Sequence, residues 1–134
     1  MQQIRLCTLI AGCAVLTLTA GCTDLGGGRV CTASFAIATA TVVDSNGALV
    51  PDATVITTLL RTGQILTPTT VMDFMRGVYP ILDDGAIPSL DFRGDSVGVH
   101  AVRGPASAAA TYYFDVPGGC HIQRTSGPDT LQLR

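Results

Sequence analysis

The side chains able to carry chemistry are few. His100 and His121 are the only histidines in 134 residues, so any imidazole base must be one of these two. His100 falls in the alternating stretch Ser96 to Arg103, opposite Val97 and Val99, which assigns it to the solvent side of a strand. His121 could act as a base for Ser126 with Asp129 or Asp115 orienting it, an arrangement for nucleophilic hydrolysis. Neither a nucleophile elbow nor an oxyanion-hole motif accompanies it. Asp83 and Asp84 beside Gly85, with Asp91 and Asp95, could offer oxygen ligands to calcium, but their spacing matches no EF-hand or nonapeptide pattern. Asp and Gly in such a run also serve simply as turn formers. Cys31, Cys120 and His121 lack the fourth ligand and the close cysteine spacing of a zinc site. Tyr113 points away from Tyr112 and Phe114 on its strand, where it could stack on a sugar ring or enter an interface; a half-buried strand aromatic is the plainer reading. The residues thus imply no catalytic group, no metal and no cofactor, and leave Tyr113 as a possible ligand contact.

The elements that must position these residues read as strands. Charge is low, Thr, Val, Ala and Gly are plentiful, and no long stretch has a 3.6-residue period, which argues for an all-β domain. Ala33 to Asp44 reads as a first strand ending at Ser45-Asn46-Gly47, where Asn-Gly supplies the positive φ angles of a tight turn. Ala53 to Arg61 follows, with Ala53, Val55, Thr57 and Leu59 on one face, and Thr62-Gly63-Gln64 turns the chain. Val71 to Met75 and Gly77 to Leu82 read as a third and fourth strand. After the Asp83-Asp84-Gly85 loop come Ser96 to Arg103, with Val97, Val99 and Ala101 on one face, and Ala108 to Val116, with Tyr112, Phe114 and Val116 together. Pro117-Gly118-Gly119 turns the chain before Cys120, and Thr130 to Arg134 turns Leu131 and Leu133 inward. About seven short strands with turn signals every eight to twelve residues predict a sandwich of prealbumin-like or immunoglobulin-like type.

Eight Arg oppose ten Asp, with neither Lys nor Glu present. No basic residues cluster, which counts against nucleic acid as a partner. At the start of the chain Arg5 precedes an apolar run from Leu6 to Ala20. The run is about 15 residues, short of the roughly 20 that cross a bilayer as a helix, and its order of basic, apolar and small residues is that of a secretory signal.

Leu18-Thr19-Ala20-Gly21-Cys22 resembles the lipobox of bacterial lipoproteins. The resemblance implies a signal peptide at 1–21, diacylation of the Cys22 thiol, and cleavage that leaves Cys22 as the first residue. Ile10-Ala11-Gly12-Cys13 has the same local form but leaves too short an apolar stretch before it. The alternative is an ordinary signal peptide cut near Ala20 or Gly21, with Cys22 free to pair with another thiol. Thr23, in place of an Asp, follows the lipidated position, which implies an outer-membrane destination within the cell envelope. Two or three acyl chains anchor a protein stably where one does not, so the membrane is the expected partner through the lipid. Residues 22–30, with Gly26-Gly27-Gly28, then form a flexible tether, and residues 31–134 form the domain. Cys7 and Cys13 leave with the signal and Cys22 carries lipid, so Cys31 and Cys120 are expected to pair as a disulfide in an oxidising compartment.

Ala40-Thr-Val-Val-Asp-Ser-Asn-Gly-Ala-Leu-Val-Pro-Asp-Ala-Thr-Val55 resembles the opening hairpin of carboxypeptidase regulatory-like domains, a transthyretin-like β-sandwich family. Asp44, Gly47, Pro51 and Ala53 match its turn and strand start. Gly77-Val78-Tyr79 and Val97 to Val102 are similar to its later strands. The resemblance implies a non-catalytic binding or structural module and names no ligand; an envelope protein, or a glycan through Tyr113, is the expected partner class. The hydroxyisourate-hydrolysing relatives end in Tyr-Arg-Gly-Ser, whereas this chain ends Thr-Leu-Gln-Leu-Arg134.

Overall fold

A computed structural model describes residues 31–69 and 75–134. The signal peptide at 1–21, Cys22, the tether at 22–30 and most of the expected strand Val71–Met75 lie outside the described residues; Met75 itself is exposed and not in a strand. Two sheets form an all-β sandwich. The strands are β1 (Ile37–Val43), β2 (Thr54–Leu59), β3 (Gln64–Leu66), β4 (Val78–Asp83), β5 (Asp95–Arg103), β6 (Ala106–Asp115), β7 (Gln123–Ser126) and β8 (Thr130–Gln132). One sheet has the order β4-β1-β8 and the other β3-β2-β5-β6-β7. Every neighbour pair is antiparallel except β1 with β8, which run parallel. Among the described residues no helix is long and apolar enough to cross a membrane.

The alternation along β5 and β6 builds the core. Val97, Val99 and Ala101 are buried on one face of β5 while His100 is exposed on the other. Tyr112 and Phe114 are fully buried on β6, their rings stacked with centroids 6.4 Å apart. Across the sandwich they join Val42, Ile81 and Leu82 from the three-stranded sheet and Leu131 and Leu133 from the final segment. Full burial of a side chain such as Phe114 contributes on the order of 3 kcal/mol relative to exposure. All these inward assignments on β5, β6 and β8 follow the two-residue period of the sequence.

The turn after β1 departs from expectation. Gly47 alone takes a positive φ (83°), and Asn46 does not. The Asp44 carboxylate organises the loop instead, accepting the N–H groups of Asn46 and Ala48 at 2.8 and 2.9 Å. No β1–β2 hairpin ladder forms, because β1 and β2 lie in different sheets and only a Val43–Leu49 bridge marks the turn. Tyr79 fixes the crossing: its hydroxyl donates to the Val50 carbonyl at 2.7 Å and accepts the Ala53 N–H at 2.8 Å. The β4 strand thereby holds the loop that carries the chain from one sheet to the other.

Strand bounds also differ. Residues 33–36, expected in the first strand, precede it; β3 begins at Gln64, the last residue of the expected turn, and β7 is a strand that no alternation in the sequence marks. Asp83 belongs to β4 and is fully buried. Its carboxylate accepts the Thr69 N–H, the Thr69 hydroxyl and the Gly85 N–H, capping a 3-10 helix at Asp84–Ser89. That short helix crosses one end of the sandwich from β4 towards β5. The same end gathers residues 31–36, the turn between β2 and β3, the loop 91–94, and the segment 117–122 with its 3-10 turn at Pro117–Gly119.

Candidate functional site

A polar cluster sits at that end, where the described residues begin. Cys31 and Cys120 form a disulfide across 89 positions, as the cysteine count led one to expect. The bond places Thr32 beside His121, with Thr32 Oγ1 2.9 Å from His121 Nε2 and 2.6 Å from Ser34 Oγ. On its other side His121 Nδ1 lies 2.7 Å from Asp84 Oδ2. Asp84 opens the 3-10 helix directly after the buried Asp83 cap, so its position is set by β4. Its carboxylate also accepts the backbone N–H groups of Ala36 at 2.8 Å and Ile122 at 2.9 Å. In return the Asp84 N–H donates to the Ala36 carbonyl at 3.1 Å. One carboxylate thus joins three parts of the chain: the incoming segment, the β4 exit, and the stretch after Cys120.

The order hydroxyl, imidazole, carboxylate is that of a nucleophile, base and orienting acid. It is equally the order of a polar cross-link, in which each member satisfies the next. Burial works to raise the Asp84 pKa, but the bonds from Ala36, His121 and Ile122 outweigh it and hold the group below its ordinary value. Asp95 behaves alike. Burial raises it, while Arg61, the Asp91 and Ser96 N–H groups and the Arg61 charge together prevail. Arg61 reaches Asp95 at 3.0 Å and the Ser89 carbonyl at 3.2 Å, pinning the other end of the 3-10 helix.

Both depressed carboxylates give stability a defined acid limb. Their contribution is fully present above the ordinary carboxylate value of about 3.9 and is lost as pH falls through the lower folded-state values. The melting temperature is therefore expected to hold from pH 7 to about 4 and to fall below it. Asp95→Asn should flatten that fall, measured as midpoint against pH by circular dichroism. An unchanged slope in the variant would refute the assignment.

A shallow cleft of about 350 Å³ opens beside the cluster, lined by residues 36–39, Ile122 and Arg124. It lies where β1 runs beyond the reach of β8, which pairs only with Thr41–Val43. Arg124 spans it, donating to the Thr39 carbonyl at 3.3 Å and pairing with Asp129.

The partners proposed for His121 from the sequence are elsewhere. Asp129 is held by Arg124, Asp115 lies on β6, and Ser126 pairs with Tyr113 in the β6–β7 ladder. Asp84 and Thr32 take their places, at sequence separations of 37 and 89 that no local spacing could signal. The acidic residues considered for calcium serve separate local roles: Asp83 caps the helix, Asp84 binds His121, Asp95 binds Arg61, and Asp91 accepts the Arg93 N–H. Among the described residues no group of three or more His, Cys or Asp side chains is arranged to hold a metal ion. Tyr113 faces outward and is 38% exposed, its ring lying over Gly94 and its hydroxyl donating to the Arg93 carbonyl at 3.3 Å. One aromatic face is left half-open to solvent.

No protein-family model, no curated protein and no solved structure matches this chain.

Proposed function

We propose that this chain is a lipid-anchored lipoprotein of the cell envelope, held at the outer membrane, whose β-sandwich is a non-catalytic binding or structural module. The observation that carries the reading is the cysteine account. The Cys31–Cys120 disulfide belongs to an oxidising compartment, and it leaves Cys22, at the end of Leu18-Thr19-Ala20-Gly21-Cys22, as the thiol next to the small residues a lipoprotein peptidase requires. The resemblance of Asp44, Gly47, Pro51 and Ala53 to the turn and strand start of carboxypeptidase regulatory-like domains supports the non-catalytic part. An envelope protein or a glycan is the partner class, with the half-open Tyr113 ring as one contact. The test is incorporation of a clickable palmitate analogue. Cys22→Ala is expected to abolish labelling; label retained in that variant would overturn the reading.

A second reading, a small envelope hydrolase, draws on the Thr32–His121–Asp84 order alone. In it the Thr32 oxygen attacks an acyl carbonyl as its proton passes to His121 Nε2, and the proton then goes to the leaving group. Activity on a panel of p-nitrophenyl esters separates the two: turnover lost in both His121→Ala and Thr32→Val, with the melting temperature kept, would establish it. Turnover absent from the unaltered protein would dismiss it.

A further inference from the structure

The sandwich is closed unevenly along one seam. Strand β8 covers the edge of β1 only at Thr41–Val43, because the turn 127–129 before it crosses back to β7 in the other sheet. Opposite residues 37–39 no strand lies on that side among the described residues, and the cleft of about 350 Å³ takes its place. Ala38 and Ile122 line it from opposite sides, and Arg124 reaches across from β7 to the Thr39 carbonyl.

The backbone of β1 says what fits there. Along a strand the N–H and C=O groups of successive residues turn to alternate sides. Ala36 accepts the Asp84 N–H and Val42 donates to the Gly77 carbonyl, both towards β4, whereas Thr41 and Val43 bond towards β8. Ile37 and Thr39 therefore turn their backbone groups into the cleft, where the Thr39 carbonyl takes the Arg124 guanidinium and the rest meet no strand. Such an edge is a template for another strand. The other edge of the same sheet is protected, since Pro80 stands opposite Thr39 on β4 and offers no N–H to the outside.

A buried hydroxyl nearby is also unmet. Tyr112 is fully buried, Gly127 of the β7–β8 turn sits against its ring, and its hydroxyl has no hydrogen-bond partner among the described residues. Burial pushes this phenol up, while the Arg124 charge lowers it and the Asp129 charge raises it, so it lies within reach of the ion pair that borders the cleft. Buried hydroxyls are ordinarily bonded.

The register fixes direction and length. Asp129 stands opposite Ala40, for its carbonyl accepts the Thr41 N–H at 2.9 Å. One place back, opposite Ala38, a residue running parallel to β1 can donate to the Ile37 carbonyl and accept the Thr39 N–H at once. Asp129 leaves room for one more residue, so a parallel strand brings its C-terminal carboxylate to Arg124. An antiparallel one would bring its amine to the same cation. Asp129, the present partner of Arg124, is 84% exposed, and exchanging it for another carboxylate uncovers nothing buried.

We propose that this cleft is a strand-addition site for the C-terminal tail of a partner protein, which runs parallel to β1 in line with β8. Its penultimate residue pairs with Ile37 and Thr39 and turns a small apolar side chain inward beside Ala38 and Ile122, and its carboxylate bonds Arg124. The proposal rests on the binding-module part of the reading above and not on the lipid anchor, which the palmitate label tests separately.

The probes are pentapeptides, acetyl-Thr-Ser-Thr-X-Ser with a free carboxylate and X as Val, Asp or Arg. They are titrated to about 1 mM into the isotope-labelled full chain and followed by magnetic resonance. The Val peptide is expected to shift the Thr39 N–H and the Arg124 side chain together, and the Asp and Arg peptides to bind about tenfold more weakly or worse. Two changes leave the protein untouched: amidation of the carboxylate and N-methylation of the Val nitrogen, each expected to weaken binding about tenfold. Arg124→Gln should weaken the free acid by the same factor and leave the amide unaffected, because the two changes remove one bond. If that variant fails to fold, the peptide changes decide alone. No shift at Thr39 with any peptide would overturn the proposal. So would an amide or an N-methyl peptide that binds as well as the parent, or binding indifferent to X. Shifts confined to the Tyr113 face would place peptide recognition there and overturn it at the cleft.

Discussion

Replacing Cys31 and Cys120 together by serine is expected to lower the thermal midpoint by about 20 °C or more, from a loss of roughly 4 to 5 kcal/mol. The magnitude follows from the 89-residue separation: cross-linking points so far apart removes nearly the whole domain's freedom from the unfolded chain. Both cysteines sit outside the strands, so the double variant keeps every ladder and should still fold. Its circular dichroism spectrum is expected to match the parent at low temperature, and reductant should bring the parent down to the same midpoint. Because the Asp84 bonds to Ala36 and Ile122 remain, residues 31–36 would loosen without leaving the domain. Calorimetry of the parent, the reduced parent and the double variant checks this. Equal midpoints for parent and double variant would show that the bond adds no stability.

The parts of the fold legible in the sequence are those where burial alternates. On β5 and β6 the pattern has period two because one face packs on the core and the other meets solvent, and Val97, Val99, Tyr112 and Phe114 could be assigned inward without a structure. The disulfide was legible by elimination. What escaped has physical reasons. Strand β7 is exposed at all four positions, so no hydrophobic period marks it; it exists because β6 offers an edge. Strand β3 is three residues long and depends on Thr57–Leu59 opposite it. The β1–β2 turn looked like a hairpin because Asp44 and Gly47 make a tight turn in either case; which sheet the next strand joins is decided by Tyr79, from another part of the chain. Residues 33–36 have strand composition, yet the Ala36 backbone is committed to Asp84. The candidate site shares this difficulty. Histidine and aspartate were visible as types, but their pairing is a consequence of how β4 and the disulfide bring distant segments together.

Asp84→Ala is expected to cost about 3 to 5 kcal/mol, because it leaves several donors without their acceptor at about 1 to 3 kcal/mol for each one that stays buried. The Asp84 side chain is only 9% exposed, and its loss strands three donors at once: the Ala36 and Ile122 N–H groups and the His121 ring. An alanine leaves a gap that water can fill only in part, so each donor carries a desolvation cost that the native carboxylate cancels. Asp84→Asn should recover a portion, because its one carbonyl oxygen can still accept a backbone N–H, while its amide nitrogen must face either the second N–H or the ring. The order parent, Asn, Ala in urea midpoints at pH 7 is the expected outcome. Coupling gives a stricter check. Asp84 and the disulfide hold the same six residues, so the cost of Asp84→Ala should differ between the oxidised parent and the Cys31→Ser, Cys120→Ser background, since sites that share partners do not add. With the disulfide intact the segment stays near its place and the stranded donors stay buried. Without it the segment can move away and let water reach them, which makes the second loss smaller than the first. Additive costs would mean that the carboxylate and the disulfide act on separate parts of the molecule, and an Asp84→Ala cost below about 1 kcal/mol, the net worth of one ordinary hydrogen bond, would mean that the Asp84 bonds to Ala36 and Ile122 are not what holds residues 31–36 in place.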